Sequence, residues 1–299
     1  MTAGPARSAR DRPEEAPEPD LVLAPRAVTF DWSAVPAHWV PGEPLATHVM
    51  NTLHLVLPEG ERWFVHVFGQ ALPLIRDDKL REEVVGFIGQ EAVHAEAHQG
   101  AADHLAAQGL DPAPFVDQVS WLFRTLLGDR DLPAPVAHQW LLERLAMIAA
   151  IEHFTAVLGR WVLRAPLERA GADPTMVDLL RWHGAEEVEH RSVAFDLYAH
   201  LDGRLLRRVR TMAVAGPVLL WLFARSTRWL MRNDPLRPGP ARLRDAHRAA
   251  RRGLLPDLAG LLRATWQYLP RTYHPSQDGT TDEAVAYLAT SPAARAAAR

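Results

Sequence analysis

The sequence lacks cysteine altogether, since none of its 299 residues is one. Disulfide bonds, thiolate-bound iron–sulfur clusters and a cysteine nucleophile are therefore excluded. The absence also suits a reducing compartment, so we expect a cytoplasmic protein.

An excess of charge of one sign is missing too, because the formal net charge is only −3. No basic stripe with interleaved aromatic residues is visible, so we expect no nucleic-acid partner. The N-terminal stretch is rich in Pro, Glu, Arg and Ala and has no apolar run of the kind a signal peptide needs. We therefore predict a disordered leader over residues 1–27.

What the sequence does have is helical periodicity. From about Pro44 onward, apolar residues recur every three to four positions, and no segment alternates convincingly with the period of two that a strand requires. We predict an all-α fold, with a break at the Pro-Glu-Gly of residues 58–60 among others. The predicted helices cover residues 44–56, 59–75, 79–108, 114–127, 134–164, 174–200, 203–231, 240–264 and 281–289.

The segment HGAEEVEH, residues 183–190, places two histidines and three glutamates inside an otherwise apolar helix. At about 100° per residue, His183, Glu187 and His190 fall within roughly 60° of one another on the apolar face. Glu189 points away from this face, so we predict that it is solvated. Three side chains able to bind a metal ion thus share the buried side of one helix.

A second helix repeats the arrangement in GFIGQEAVHAEAH, residues 86–98. Glu91, His94 and His98 again span only about 60° on a helical projection. Glu96 points to the opposite face and is expected to be solvated. The chain therefore has two Glu-x-x-His pairs, one on each of two helices.

Two further helices each offer one inward acid. Glu152 shares its helical face with Leu145 and Ile148, and Glu61 lines up with Phe64. Burying an ionised carboxylate alone costs several kcal/mol, so four of them on apolar faces demand compensating charge, which a pair of divalent cations supplies.

One Glu from each of two helices and a Glu-x-x-His from each of two others is the ligand set of ferritin-like di-iron and di-manganese bundles. We therefore predict a ferritin-like four-helix bundle with a di-metal core over residues 28–200, and a C-terminal helical extension over residues 201–299 that packs on it. The predicted catalytic residues are Glu61, Glu91, Glu152 and Glu187, and the predicted metal ligands are these four with His94 and His190.

The remaining candidates are expected to support ligands or to be structural. His98 is expected to support a ligand or to lie in the core. Glu186 borders the apolar stripe, where it could support a ligand or reach the surface. The other helical histidines are expected to be surface residues or ordinary helix residues, namely His54, His66, His138, His153 and His200.

The segments LPEGERWFVHVFG, FIGQEAVHAEAH and WHGAEEVEHRSVAFDLY resemble the ferritin-like family of predicted metal-dependent hydrolases, over roughly residues 44–200. This resemblance implies a metal-binding bundle more firmly than it implies hydrolysis. More distantly, the chain is similar to the p-aminobenzoate N-oxygenase group of di-iron enzymes, in which an extra histidine lies four residues before the Glu of the last Glu-x-x-His. His183, Glu187 and His190 reproduce that spacing, which implies His183 as a seventh ligand.

The ligand types favour two iron ions, with manganese or zinc as alternatives. We expect such a centre to activate O₂ and to oxidise a small apolar organic substrate. Since the chain has no cysteine and no visible flavin or nicotinamide motif, the electrons would come from a separate reductase or ferredoxin. Two alternatives stay open, a di-metal hydrolase acting on ester-type substrates and a non-catalytic iron-binding protein.

The C-terminal section contains MAVAGPVLLWLFA, residues 212–224, which is apolar all round and interrupted by Pro217. Thirteen residues are too few to span a bilayer. One interpretation is a buried helix that covers the bundle. The flanking Arg and Trp residues leave open a peripheral membrane contact instead, and a homodimer is also left open.

Overall fold

The computed structural model describes residues 22–299. These residues form α-helices joined by turns and short helical segments, with no β-strand among them. The predicted all-α class is confirmed. Of the predicted leader, residues 1–21 lie outside the described part of the chain.

The described residues contain eleven α-helices. Four of them form the bundle, in which α1 packs along α2, α4 packs along α5, and the two pairs meet through α1–α4 and α2–α5 contacts. The helices are α1 (Pro44–Ala71), α2 (Asp78–Ala107), α3 (Ala113–Trp121), α4 (Ala134–Arg164), α5 (Pro174–Glu189), α6 (Val193–Leu201), α7 (Leu205–Asn233), α8 (Leu243–Arg251), α9 (Leu258–Tyr268), α10 (Asp282–Leu288) and α11 (Pro292–Ala297).

The predicted break at residues 58–60 is wrong, because α1 continues through Pro58. A proline inside a helix removes one hydrogen bond to the preceding turn, which normally favours a break. Here Pro58 and Gly60 are both buried, and Gly60 packs closely against the ring of Phe123. Tertiary packing outweighs the local preference, and Glu61 consequently lies in the interior of a long helix.

The predicted helix over residues 174–200 is divided in two. α5 ends at Glu189, and His190 has backbone angles of φ −97° and ψ 9°. The Arg191 guanidinium donates to the carbonyl of Val188 at 2.8 Å, which satisfies part of the helix end. No glycine or proline marks this break, so the sequence pattern did not indicate it.

α4 and α5 approach each other backbone to backbone at two glycines. A Cβ atom added at Gly159 would lie 2.4 Å from the carbonyl oxygen of Gly184, and one added at Gly184 would lie 2.9 Å from the Cα of Gly159. Only glycine allows this contact. It sets the distance between α4, which carries Glu152, and α5, which carries two of the other candidate ligands.

The C-terminal helices cover the bundle. α7 contacts α1 and α4, α9 contacts α4, and α10 and α11 contact α5. Asp178 of α5 accepts hydrogen bonds from Tyr287, Ser291 and the backbone of Ala293, which fastens the C-terminal end. The predicted helix over residues 240–264 is divided into α8 and α9 by a turn in which a glycine has a φ of +75°.

The segment 212–224, interpreted as a buried helix that covers the bundle, covers it but is buried on one side only. Met212, Ala215 and Leu222 face the bundle, whereas Leu220 and Trp221 are each 57% exposed. Within residues 22–299, no helix combines the length and apolar character needed to cross a bilayer.

Candidate metal centre

The interior of the bundle contains all seven residues predicted as metal ligands. Each is at most 6% exposed. Four helices and one turn supply them, with Glu61 on α1, Glu91 and His94 on α2, Glu152 on α4, His183 and Glu187 on α5, and His190 directly after α5. The ligand roles themselves stay predictions.

Two groups of three could each hold an ion. Glu91, Glu187 and His190 have one ligand atom each within 4.8 Å of the others, and so do Glu61, His94 and His183. Each group combines carboxylate and imidazole donors from at least two elements of the bundle.

Glu187 joins the two groups. Its Oε1 lies 2.8 Å from Nε2 of His183 and 3.4 Å from Nδ1 of His94. Its Oε2 lies 3.4 Å from Nε2 of His190. One carboxylate is thus placed to reach both candidate ion positions, as a bridging ligand does in a two-metal site.

Glu152 lies at the edge of the cluster. Its Oε2 is 3.3 Å from Nε2 of His190, while its Oε1 accepts a hydrogen bond from Thr155 at 3.4 Å. Glu152 belongs to neither group of three.

Ligand-type atoms of the cluster lack hydrogen-bond partners. In the described part of the chain, eight buried nitrogen and oxygen atoms of these side chains have none, namely both carboxylate oxygens of Glu61 and of Glu91, Oε2 of Glu152 and of Glu187, Nδ1 of His94 and Nε2 of His190. Buried polar atoms are normally paired, because leaving one unpaired costs about 1–3 kcal/mol. Eight such atoms that converge in one interior fit the binding of a cation.

The pKa shifts of the four glutamates lead to the same conclusion. Burial raises the pKa of Glu61 and of Glu91 well above the usual glutamate range, and it raises the pKa of Glu152 to about 7. Glu187 differs, because His190 and a second histidine more than offset its burial and hold its pKa well below the usual range. Three of the four carboxylates thus lack enough positive charge nearby, and a divalent cation would stabilise their ionised forms.

Glu186 is hydrogen-bonded to His94 on the side of the ring that faces away from the cluster. Nε2 of His94 and Oε2 of Glu186 are 2.9 Å apart, which turns Nδ1 of His94 toward the cluster. Oε1 of Glu186 also accepts from Trp182 at 3.1 Å and from Arg26 at 2.6 Å. Burial lowers the pKa of His94, but the hydrogen bond to Glu186 and the neighbouring carboxylates more than offset this, and the pKa is raised. A carboxylate behind a ligating histidine fixes its orientation and increases its basicity.

The prediction that Glu189 is solvated is wrong. Its side chain is 3% exposed and accepts two hydrogen bonds from Arg26, at 2.9 and 3.1 Å. The side-chain amide of Gln90 donates to Glu189 at 3.3 Å, and Oε1 of the same amide lies 3.1 Å from Nδ1 of His190. The outer face of α5 is covered because the chain before the bundle crosses it.

The crossing segment belongs to the predicted leader. Within residues 22–27, Leu23 lies against Gly86 of α2, and Arg26 pairs with both Glu186 and Glu189. A segment that looks like low-complexity leader in the sequence therefore supplies the positive charge behind the cluster.

Two further histidines lie behind His183. Nδ1 of His183 is hydrogen-bonded to Nε2 of His98, and Nδ1 of His98 lies 2.8 Å from Nδ1 of His54. All three are buried. The placement of His98 agrees with the expected supporting or core role. His54 was expected to be a surface or ordinary helix residue, yet it extends this chain, and burial lowers its pKa to about 3.

A third group of potential ligands lies elsewhere, but its hydrogen bonds explain it. Nε2 of His48 lies 2.7 Å from Oδ2 of Asp234, and His38 shares the same oxygen at 2.5 Å. Trp39 donates to Oδ1 of Asn51, which turns the amide NH₂ toward Nδ1 of His48 at 3.4 Å. His48 then carries its proton on Nε2 and donates it to Asp234, so it has no lone pair there for a metal.

Carboxylate and imidazole donors suit iron, manganese or zinc. The donor set, the unpaired atoms and the deficit of positive charge together fit two divalent ions.

Residues 24–279 match the sequence profile of a family described as predicted metal-dependent hydrolases. The chain belongs to this family. Comparison with the curated proteins and with the solved structures found no match.

The family match supports a metal-dependent protein, and its description agrees better with the hydrolase alternative than with O₂ activation. Sequence reasoning missed three supporting residues, Arg26, Gln90 and His54. Gln90 directly precedes Glu91, and its position one residue before a candidate ligand was the only available signal. Arg26 gave no signal, because helical periodicity says nothing about an extended segment.

Proposed function

We propose that the protein is a two-metal enzyme that holds a pair of divalent ions within the cluster of seven buried side chains. The observation that carries the proposal is the convergence of eight buried ligand-type atoms that have no hydrogen-bond partner among residues 22–299. The family assignment supports it independently.

Hydrolysis of an ester-type substrate is the reaction with the better support, because the family description names a metal-dependent hydrolase. A bound pair of divalent ions supplies an activated water and stabilises negative charge on the leaving group. In this chain, Glu187 is placed to join the two ion positions. Oε2 of Glu152 lies outside both groups of three and has no hydrogen-bond partner among the described residues, so we assign it to accepting the proton of the attacking water.

Oxidation with O₂ is the second candidate, favoured by the enclosure of the donor set. Four carboxylates and three imidazoles lie inside the bundle, with the ring of Phe87 4.8 Å from that of His190 and the indole of Trp182 5.0 Å from the ring of His94. Such a set suits iron or manganese, and the aromatic walls suit a small apolar organic substrate. The electrons would come from a separate reductase or ferredoxin, since the chain has no cysteine for an iron–sulfur cluster.

Elemental analysis of anaerobically purified protein tests the premise that both reactions share, and we expect about two ions per chain. The metal-loaded protein is then given p-nitrophenyl esters and, separately, O₂ with a chemical reductant. Ester hydrolysis that a chelator abolishes and added metal restores would support the hydrolase. O₂ consumption with a transient visible absorption and no ester turnover would support the oxidation. Absence of metal after reconstitution would contradict both.

A further inference from the structure

The outer face of α7 is apolar and open to solvent. At about 100° per residue, its exposed residues fall on one side of the helix. The middle of this side carries no charged residue and consists of Ala213, Val214, Pro217, Val218, Leu220, Trp221 and Ala224. Monomeric soluble proteins rarely expose a contiguous apolar patch without using it.

α9 carries a second exposed apolar stripe. The guanidinium of Arg208, near the start of α7, lies 5.3 Å from the ring centroid of Tyr268 at the end of α9. On α9, Leu258, Leu262 and Trp266 are 58%, 53% and 70% exposed. Their spacing of four residues places them on one face.

α3 adds an exposed tryptophan. Arg225 of α7 donates to the side chain of Gln118 on α3, and Trp121, one turn after Gln118, is 58% exposed. We call the outer face of α7 between residues 213 and 224 the apolar surface.

Positive charge flanks the apolar surface. α7 contains six arginines and no acidic residue. Arg210 precedes the apolar middle of the helix, while Arg225, Arg228 and Arg232 follow it, and all four are exposed. Arg210 is partly neutralised by an ion pair with Glu143. Both ends of an apolar face that extends over roughly 20 Å are thus basic.

We propose that the apolar surface binds the headgroup and upper acyl region of a bilayer that contains anionic lipid. Exposed leucine and tryptophan with flanking arginines is the pattern of a helix that lies in the membrane interface without crossing it. The length and polarity of α7 agree with contact and not with spanning. The proposal stands independently of the reaction catalysed in the bundle.

A second copy of the chain is a poorer occupant. In a symmetric dimer the same patch faces itself, and with α7 antiparallel to its copy the basic ends would lie opposite each other. Like charges across an interface oppose association, whereas anionic headgroups complement both ends.

Co-sedimentation of the full chain with vesicles tests the proposal. We expect binding to vesicles of equal parts phosphatidylcholine and phosphatidylglycerol, and much weaker binding to phosphatidylcholine alone. The double variant Leu220→Glu/Trp221→Glu should weaken binding by about tenfold or more, because it removes apolar area and adds negative charge. Both residues are exposed, so circular dichroism should show an unchanged helical content.

Leu243→Glu is the matched control, because Leu243 is 88% exposed on α8, outside the apolar surface. It should bind vesicles as the unchanged protein does. The proposal is overturned if the protein does not bind the anionic vesicles at low salt, or if the double variant binds as well as the control. It is also overturned if the unchanged protein binds no vesicles and light scattering shows that it is a dimer, whereas the double variant is a monomer.

Discussion

Glu187 is the residue at which the two halves of the centre meet, since it contacts His94, His183 and His190. Its pKa is held low by the histidines around it. Burial raises the pKa of Glu61 and of Glu91 instead. The pKa values of these three buried glutamates are therefore shifted in opposite directions.

Glu91→Ala and Glu187→Ala should each abolish metal binding while leaving most of the helicity. Each removes a carboxylate from the same group of three, and the remaining donors cannot complete it. Elemental analysis and circular dichroism measure the two effects. Glu96→Ala is the matched control, because the side chain of Glu96 on the same helix as Glu91 is 74% exposed. Equal metal loss in all three variants would contradict the assignment.

Arg26→Ala should weaken metal binding about tenfold to a hundredfold, the usual cost of removing a partner that supports a ligand. Arg26 pairs with Glu186 behind His94 and with Glu189. Its loss frees the Glu186 carboxylate that fixes the orientation of the His94 ring. Competition with a coloured chelator measures the affinity. Arg164→Ala, which removes only a surface pair with Glu283, should bind metal normally, and a similar loss there would refute the specific role of Arg26.

Residues on helices could be found from the sequence, because a helical projection shows which side chains share a face. All seven candidate ligands lie on or next to such helices and are buried in the bundle, while their roles as ligands stay a prediction. A helical projection shows in which direction a side chain points, but not which other segment of the chain covers that face of the helix. Glu189 was misplaced for that reason, since the extended segment around Arg26 crosses the outer face of α5.

At the scale of the helices, the contact between Gly159 and Gly184 determines how closely α4 approaches α5. A larger residue would push apart the two helices that carry Glu152 and Glu187. Glycine in the middle of a helix normally costs stability, so these two glycines serve the packing of α4 against α5 and not helix formation.

Gly159→Ala should lower the free energy of unfolding by about 1–3 kcal/mol, the usual cost of overpacking. The added methyl group would lie 2.4 Å from a carbonyl oxygen of α5. Gly69→Ala is the matched control, since a Cβ atom there meets nothing within 4 Å. It should stabilise α1 by about 0.5–1 kcal/mol. Urea unfolding distinguishes the two, and equal effects would contradict the packing argument.

Asp234→Asn should destabilise the junction between the N-terminal segment, α1 and the end of α7. Burial alone would raise the pKa of Asp234, but the hydrogen bonds from His38 and His48 outweigh it and lower the pKa. Because the folded-state pKa is below the unfolded one, the carboxylate stabilises the fold above the usual aspartate range, and this stabilisation disappears as the pH falls through the folded-state pKa. Urea unfolding at several pH values should therefore show a variant that is weaker near neutral pH and approaches the unchanged protein in acid.

Most helix positions were predictable, because amphipathic periodicity extends over many residues. The positions at which helices end were harder to predict from the sequence. Pro58 predicted a helix break, but packing in the interior prevents it. No glycine or proline in the sequence indicates the turn at His190. In both cases contacts distant in sequence decide the local conformation.

For the molecule as a whole, bound metal should contribute to stability. The ions bind the folded arrangement and not the unfolded chain, so they stabilise by about 4 kcal/mol when free metal exceeds the Kd a thousandfold. Removal by chelation should therefore lower the Tm measured by calorimetry, and the metal should restore it. An unchanged Tm would mean that the buried carboxylates do not depend on a cation for stability.

The candidate ligands extend from Glu61 to His190, and the arginine that supports them lies at residue 26. During synthesis, the first half of the cluster leaves the ribosome long before the helix that completes it. The group of Glu61, His94 and His183 is therefore incomplete until residue 183 has emerged, and that of Glu91, Glu187 and His190 is incomplete until residue 190 has emerged. If the cluster binds metal as proposed, insertion of both ions would follow the synthesis of all of α5, although the N-terminal segment with Arg26 is made first.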